Sequence, residues 1–166
     1  MEHKAYTLND GRKIHIRPLI VDDRDKLAKF YRSMSEDALR WVDAPTLGQI
    51  DEKLRYPDYY ISLVTVYDGY VVGYGEIVKD SQKIDGELII HIHQGYQGVG
   101  LGTAMMIMLL KEATDEQLHR INLRVAAGNR RAVQLFLKFG FQEHGSKKGY
   151  DEESHDIISM SKALKK

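Results

Sequence analysis

The stretch Gln97-Gly98-Val99-Gly100-Leu101-Gly102-Thr103-Ala104 constrains this chain more than any other. Its glycines at 98, 100 and 102 lie between an apolar run of β character, Leu88 to His93, and a long run of helix formers. Without a Cβ the backbone can come close to a ligand at those positions. The helix that follows offers unpaired N–H groups and the positive end of its dipole. A strand, a glycine loop and a helix in this order predict an anion site, with phosphate as the natural guest.

Spacing separates the nucleotide folds that use such a loop. A P-loop ends in Gly-Lys-Ser/Thr, but here Gly102 is followed by Thr103-Ala104 and the loop has no lysine. A dinucleotide fingerprint needs Gly or Ala three positions after its second glycine, where this chain has Thr103. It also needs an acidic residue at the end of the next strand, which Ile121 to Ala126 does not supply.

Composition narrows the setting. Lys and Arg number 24 against 24 Asp and Glu, so no global charge recruits nucleic acid or an anionic membrane. The 166 residues fit one domain, residues 1–166 with a core of about 14–164. A chain of that size buries roughly 70% of its unfolded-state surface without staples. The absence of cysteine excludes disulfide and thiolate chemistry. Met1-Glu2-His3-Lys4 lacks the apolar core of a signal peptide, and no apolar run reaches the roughly 18 residues of a membrane span. A soluble, cytoplasmic protein is expected.

In chain order, Ala5 to Leu8 and Lys13 to Arg17 flank an Asp-Gly turn and predict an opening hairpin that Pro18 ends. Asp22-Asp23 are expected to cap a helix with Leu27, Phe30, Tyr31 and Met34 on its core face. Ser35 caps a short piece through Leu39 and Trp41, and Thr46 with Gln49 forms a capping box before Ile50 and Leu54. The period then changes from helix to strand. Tyr60 to Tyr67 and Tyr70 to Val78 form a hairpin around Asp68-Gly69, and Glu87 to His93 adds a third strand. The central helix runs from Gly102 to about Leu118, with Met105, Met106 and Met108 as core filling. Ile121 to Ala126 is a strand, and Asn129 caps a helix closed by Gly140. Phe141 to Lys147 and Ser154 to Lys162 form a last antiparallel pair. The fold class is α/β, with a mostly antiparallel sheet, one strand-helix-strand unit with a right-handed crossover, and about four flanking helices.

The pattern Gln-x-x-Gly-x-Gly, met by Gln97, Gly100 and Gly102, resembles that of the GNAT superfamily of N-acetyltransferases. The resemblance extends from Ile16-Arg17-Pro18-Leu19 through Val71-Val72-Gly73-Tyr74-Gly75-Glu76 to Asn129-x-x-Ala132-x-x-Leu135-Phe136-x-Lys138-x-Gly140-Phe141. It implies a GNAT fold with a central sheet splayed at the cofactor site, and acetyl-CoA as acetyl donor. The family's loop amides hold the coenzyme A pyrophosphate, here Gln97, Gly98, Val99, Gly100, Leu101, Gly102 and Thr103. Its pantetheine arm pairs with exposed strand backbone, here Ile90, His91 and Ile92, like an added strand. Asn129 and Phe136 fall at further cofactor positions of the family; for Asn129 a plain helix N-cap is an equal reading.

A lysine-like amine has a pKa of about 10.4, so transfer to it at neutral pH requires a base. Glu87 stands where many family members acting on protein lysines keep a glutamate, and it shares a strand face with Ile89, His91 and His93. It is the first candidate, with Glu76 second. His91 and His93 lack a third ligand at a recognisable spacing, so no metal is expected, although either histidine is an alternative base if it titrates near neutrality. Backbone N–H near Ile92 is expected to stabilise the oxyanion, and direct attack needs no covalent enzyme intermediate.

The acceptor is an amine, of a protein lysine or a small molecule, and Tyr56, Tyr59 and Tyr60 either line its cleft or pack. Oligomeric state is open, a homodimer included. Phe136 departs from the family, which often has a tyrosine there to protonate the leaving thiolate. Water or Tyr150 is the substitute donor, or the chain is a coenzyme A binding module that has lost catalysis.

Overall fold

A computed structural model describes residues 3–147 and 156–164. The opening hairpin forms as β1 (Lys4–Thr7) and β2 (Lys13–Pro18), and is followed by α1 (Arg24–Arg32), α2 (Glu36–Leu39) and α3 (Leu47–Arg55). Next come β3 (Tyr60–Tyr67), β4 (Tyr70–Lys79), β5 (Asp85–Ile92), α4 (Leu101–Asp115), β6 (Arg120–Ala126) and α5 (Arg130–Lys138). β7 (Gln142–Lys147) and β8 (Ile157–Ala163) complete the chain. The strands make one 8-stranded sheet in the order β1-β2-β3-β4-β5-β6-β8-β7. Every neighbouring pair is antiparallel except β5 with β6, which the α4 crossover joins. The mixed, mostly antiparallel α/β architecture is therefore as expected.

Strand alternation gives the sheet two apolar faces. On one, α4 lays Leu101, Met105, Met106, Met108 and Leu109 against Leu63, Ile77, Leu88 and Ile121. On the other, Leu27, Phe30 and Tyr31 of α1 and Ile50 of α3 cover Val64, Val71 and Tyr74. Each such side chain, once buried, contributes about 1.5–3 kcal/mol. α3 begins as expected: Thr46 Oγ1 accepts from Gln49 N–H at 3.2 Å and Gln49 Oε1 accepts from Thr46 N–H at 2.9 Å.

Asp23 departs from expectation. It precedes α1 without a side-chain cap and is fully buried, taking both guanidinium nitrogens of Arg17 at 2.7 and 2.8 Å and Ile20 N–H at 2.9 Å. Burial alone would raise its pKa; the Arg17 fork and the Ile20 amide bring it below the ordinary carboxylate value. Among the described residues no helix is long and apolar enough to cross a membrane.

Candidate active site

The site grows out of an incomplete ladder. β5 pairs with β4 from Gly86 to Ile92, but with β6 only from Asp85 to Glu87, and the parallel strands then diverge. His93 N–H donates to Val72 O at 3.0 Å. Antiparallel alternation therefore turns the odd residues of β5 toward β4, and the N–H and C=O groups of Ile90 and Ile92 toward the gap. The Ile92 carbonyl accepts from Gln97 Nε2 at 3.1 Å.

The chain then turns sharply. His93 caps a 3-10 turn, Gln94–Tyr96: its Nδ1 accepts from Gly95 N–H at 3.1 Å, and its Nε2 lies 3.2 Å from Ser33 O. Nδ1 being the acceptor, Nε2 carries the hydrogen and donates to Ser33. Gly98 (φ +74°) and Gly100 (φ +91°) occupy the left-handed region, Gly100 as the N-cap of α4. A side chain at either would be strained, and a Cβ at Gly100 would also lie 3.2 Å from Asn9 Oδ1. Gly102 differs from the expectation of ligand approach alone. Its φ is not positive, and its missing Cβ lets α4 pack close: that atom would sit 3.0 Å from Leu135 Cδ2 and 3.4 Å from Ile92 Cδ1.

Ala104 N–H makes the first bond back, to Gly100 O at 3.2 Å. The N–H groups of Leu101, Gly102 and Thr103 ahead of it have no intrahelical partner and carry the positive end of the α4 dipole. Two cations of α5 stand beside them. Arg131 Nη1 donates to Gln97 Oε1 at 2.9 Å, and Lys138 Nζ donates to Thr103 Oγ1 at 3.3 Å. These were missed from sequence, yet Arg131, Leu135 and Lys138 form a stripe at i, i+4 and i+7, legible once the start of α5 is set opposite the loop.

Together these elements enclose a cleft of about 820 Å³, lined by Ile90, His91 and Ile92, by Gln97, Gly98, Gly100, Gly102 and Thr103, and by Asn129 and its helix. Open strand edge, positive-φ glycines, free helix N–H groups and two nearby cations fit coenzyme A, whose pantetheine carries amides and whose other end carries phosphates. Val99 and Leu101, expected at the cofactor, pack their side chains against the core, and neither lines the cleft. Asn129 is the N-cap residue of α5 but makes no side-chain cap bond. Phe136, expected at the cofactor, is turned into the core at 6% exposure, its ring 5.9 Å from that of Phe141. The stripe of α5 that lines the cleft is one residue out of phase with it.

The candidate bases lie in three environments. Glu87 stands where β5 and β6 begin to diverge, about half exposed, with Arg124 Nη2 at 3.0 Å. Glu76 is buried and committed, with Lys53 Nζ and Tyr74 Oη each 2.6 Å from its Oε1. His91 is an alternative base only if it titrates near neutrality. Instead burial, then the Lys53 charge, lower its pKa to about 4 while Tyr31 Oη sits 2.8 Å from Nδ1. At pH 7 such an imidazole is neutral, with its Nδ1 already engaged by the Tyr31 hydroxyl. Tyr150 lies outside the described residues. Tyr60, with Tyr31, Glu52, Lys53 and Ile89, borders a second cavity of about 200 Å³ on the α1 and α3 face; Tyr56 and Tyr59 are exposed.

Comparison with known proteins identifies the family. The model of the acetyltransferase (GNAT) family matches residues 24–141. An uncharacterized N-acetyltransferase of Mycobacterium tuberculosis (strain ATCC 25618 / H37Rv) is 33% identical over 86 residues, 51% of this chain and 54% of that protein. The chain thus spans about half the length of that relative. The spermine/spermidine N(1)-acetyltransferase of Bacillus subtilis (strain 168) is 27% identical over 140 residues, 80% of this chain and 90% of that one. Among solved structures, an acetyltransferase of the GNAT family from Streptococcus pneumoniae superposes with a TM-score of 0.82 at 25% identity, covering 92% of this chain and 99% of the other. With a family match over residues 24–141, well over half of its length, the chain belongs to the acetyltransferase (GNAT) family.

Proposed function

We propose that this protein is an acetyl-CoA-dependent N-acetyltransferase that passes the acetyl group directly to an amine. The observation that carries the reading is the half-open β5: Ile90 and Ile92 turn backbone into a gap whose far end is the cradle of Gly98, Gly100 and the first turn of α4. Acetyl-CoA, when bound, would supply the acetyl group as a thioester and leave as the coenzyme A thiolate. The residues of this chain do the rest. The N–H groups of Leu101, Gly102 and Thr103, with Arg131 and Lys138, hold phosphate, and the edge of β5 orients the pantetheine arm. Ile92 N–H, aimed into the gap, is placed to hold negative charge on a carbonyl oxygen.

The acceptor approaches across the face of β5 that carries Glu87, Ile89 and His91. Glu87 accepts the amine's proton through water, because Glu76 is buried and tied to Lys53 and Tyr74, and His91 is engaged by the Tyr31 hydroxyl, whereas Glu87 is about half exposed. Asp43 and Glu52 beside the second cavity favour an acceptor that carries positive charge, and the Bacillus relative makes spermine and spermidine the first amines to try, ahead of lysine peptides. No side chain need protonate a leaving thiolate whose conjugate acid has a pKa of about 8.5. A core-facing Phe136 therefore does not argue for loss of catalysis.

Calorimetric titration with acetyl-CoA, followed by an amine screen that reads free thiol release, tests the reading. Saturable binding and turnover on at least one amine are expected. Binding without turnover on any amine would favour a coenzyme A binding module, and absence of binding would remove both.

A further inference from the structure

We infer that the turn of the N-terminal hairpin, Asn9 to Arg12, is a positioning element for the glycine loop, with Arg12 setting how tightly that loop holds coenzyme A. The inference rests on the proposed function above. It concerns residues that precede the stretch matched by the family model, which begins at residue 24.

The turn grips the loop at several points. Asn9 N–H donates to Val99 O at 2.9 Å. A trans peptide directs its C=O and N–H oppositely, so this bond turns Gly100 N–H away from the hairpin. The Asn9 amide group packs over Gly100, where an added Cβ would lie 3.2 Å from its Oδ1. Arg12 spans the other end of the loop: its Nη2 donates to Gly95 O at 2.8 Å, and its guanidinium lies 4.0 Å from the centroid of the Tyr96 ring. Asp10 holds that guanidinium in place, accepting from Arg12 Nε at 2.8 Å and from Arg12 N–H at 3.1 Å. Leu8, buried in the core under α4, anchors the turn.

The consequence is preorganisation. Gly98 and Gly100 have the widest backbone freedom of any residue type, and a loop built on them orders its amides for phosphate only if something outside holds it. The hairpin does so without occupying the cleft, since none of Asn9, Asp10 or Arg12 lines it. Arg12 is thus a positioning residue.

The test compares the wild-type protein with Arg12→Ala and with Arg24→Ala, which removes a surface ion pair to Asp51 remote from the loop. Coenzyme A itself is titrated by calorimetry, and backbone hydrogen exchange of the peptide covering residues 94–101 is followed without ligand. Arg12→Ala should weaken coenzyme A binding about three- to tenfold and speed exchange of the loop peptide, with the melting temperature within about 2 °C of wild type. Arg24→Ala should leave both readouts unchanged. Wild-type affinity and loop exchange in Arg12→Ala, or equal effects in Arg24→Ala, overturn the inference while the proposed function stands. Failure of the wild-type protein to bind coenzyme A removes the function and the inference together.

Discussion

One strand, β5, has two edges with different fates. Toward β4 it is laddered from Gly86 to Ile92, whereas toward β6 the ladder stops at Glu87. The same residues supply both edges, so composition does not set the difference. At Gly102 the start of α4 packs closely between Ile92 of β5 and Leu135 of α5, where an added Cβ would lie 3.4 Å and 3.0 Å from their side chains. The ladder hydrogen bonds lie on the closed edge, and the open one faces the cleft.

Proline scanning of β5 is the sharpest way to break this comparison. Ile89→Pro removes an N–H from the β4 ladder and should cost about 3 kcal/mol or more in urea unfolding. Ile92→Pro removes an N–H that faces the gap, so the variant should stay folded while turnover falls about a hundredfold. If the two variants lose stability equally, the two edges do not divide the work.

The next largest effect is a pH dependence on the closed side. His91 has a folded pKa of about 4 against 6.5 unfolded. The unfolded chain therefore takes up a proton first as pH falls, so the stability from keeping His91 neutral is complete above pH 6.5 and drains away toward pH 4. Between pH 7 and pH 5 the loss should be about 2 kcal/mol. His91→Phe should show a shallower decline over that interval in denaturant titrations, and an identical slope would remove His91 as the cause.

Smaller effects probe the chemistry. Glu87→Gln should lower turnover about tenfold at pH values below the amine's pKa, and an unchanged pH profile would take Glu87 out of the role of base. Phe136→Tyr should leave turnover unchanged and lower stability by about 1 kcal/mol, because the added hydroxyl enters the core beside Phe141. A gain in turnover would place residue 136 at the cofactor after all.

Local signals in the sequence were read well where local chemistry decides. Asp68 (φ 50°) and Gly69 (φ 80°) make the expected turn, and the hairpin they close runs from Tyr60 to Lys79, one residue beyond the predicted end. Gln97, Gly98, Gly100 and Thr103 marked the cleft because a strand-loop-helix unit is contiguous in the chain. β5 was expected from Glu87 to His93 but runs from Asp85 to Ile92, since the His93 side chain is used to cap the next turn.

What escaped depends on contacts across the fold. The Tyr31 hydroxyl meets a histidine 60 residues away, and only the packed sheet reveals that His91 is too buried to titrate near neutrality. Asp23 resembles a cap until Arg17 is seen beside it. Phe136 and its neighbour Leu135 are one helical step apart, and single-residue phase on α5 decides which faces the cleft.

The open edge of β5 also bears on how the protein avoids misassembly. Unpaired strand backbone is a template for any extended chain, including another copy of this one. Here that backbone lines a cleft together with the glycine loop and the starts of α4 and α5, which restricts the approach of a foreign strand. A bound cofactor closes the remaining approach and, at a hundred times its Kd, adds about 2.7 kcal/mol to the folded state. Cofactor supply during folding then becomes a determinant of yield as well as of activity.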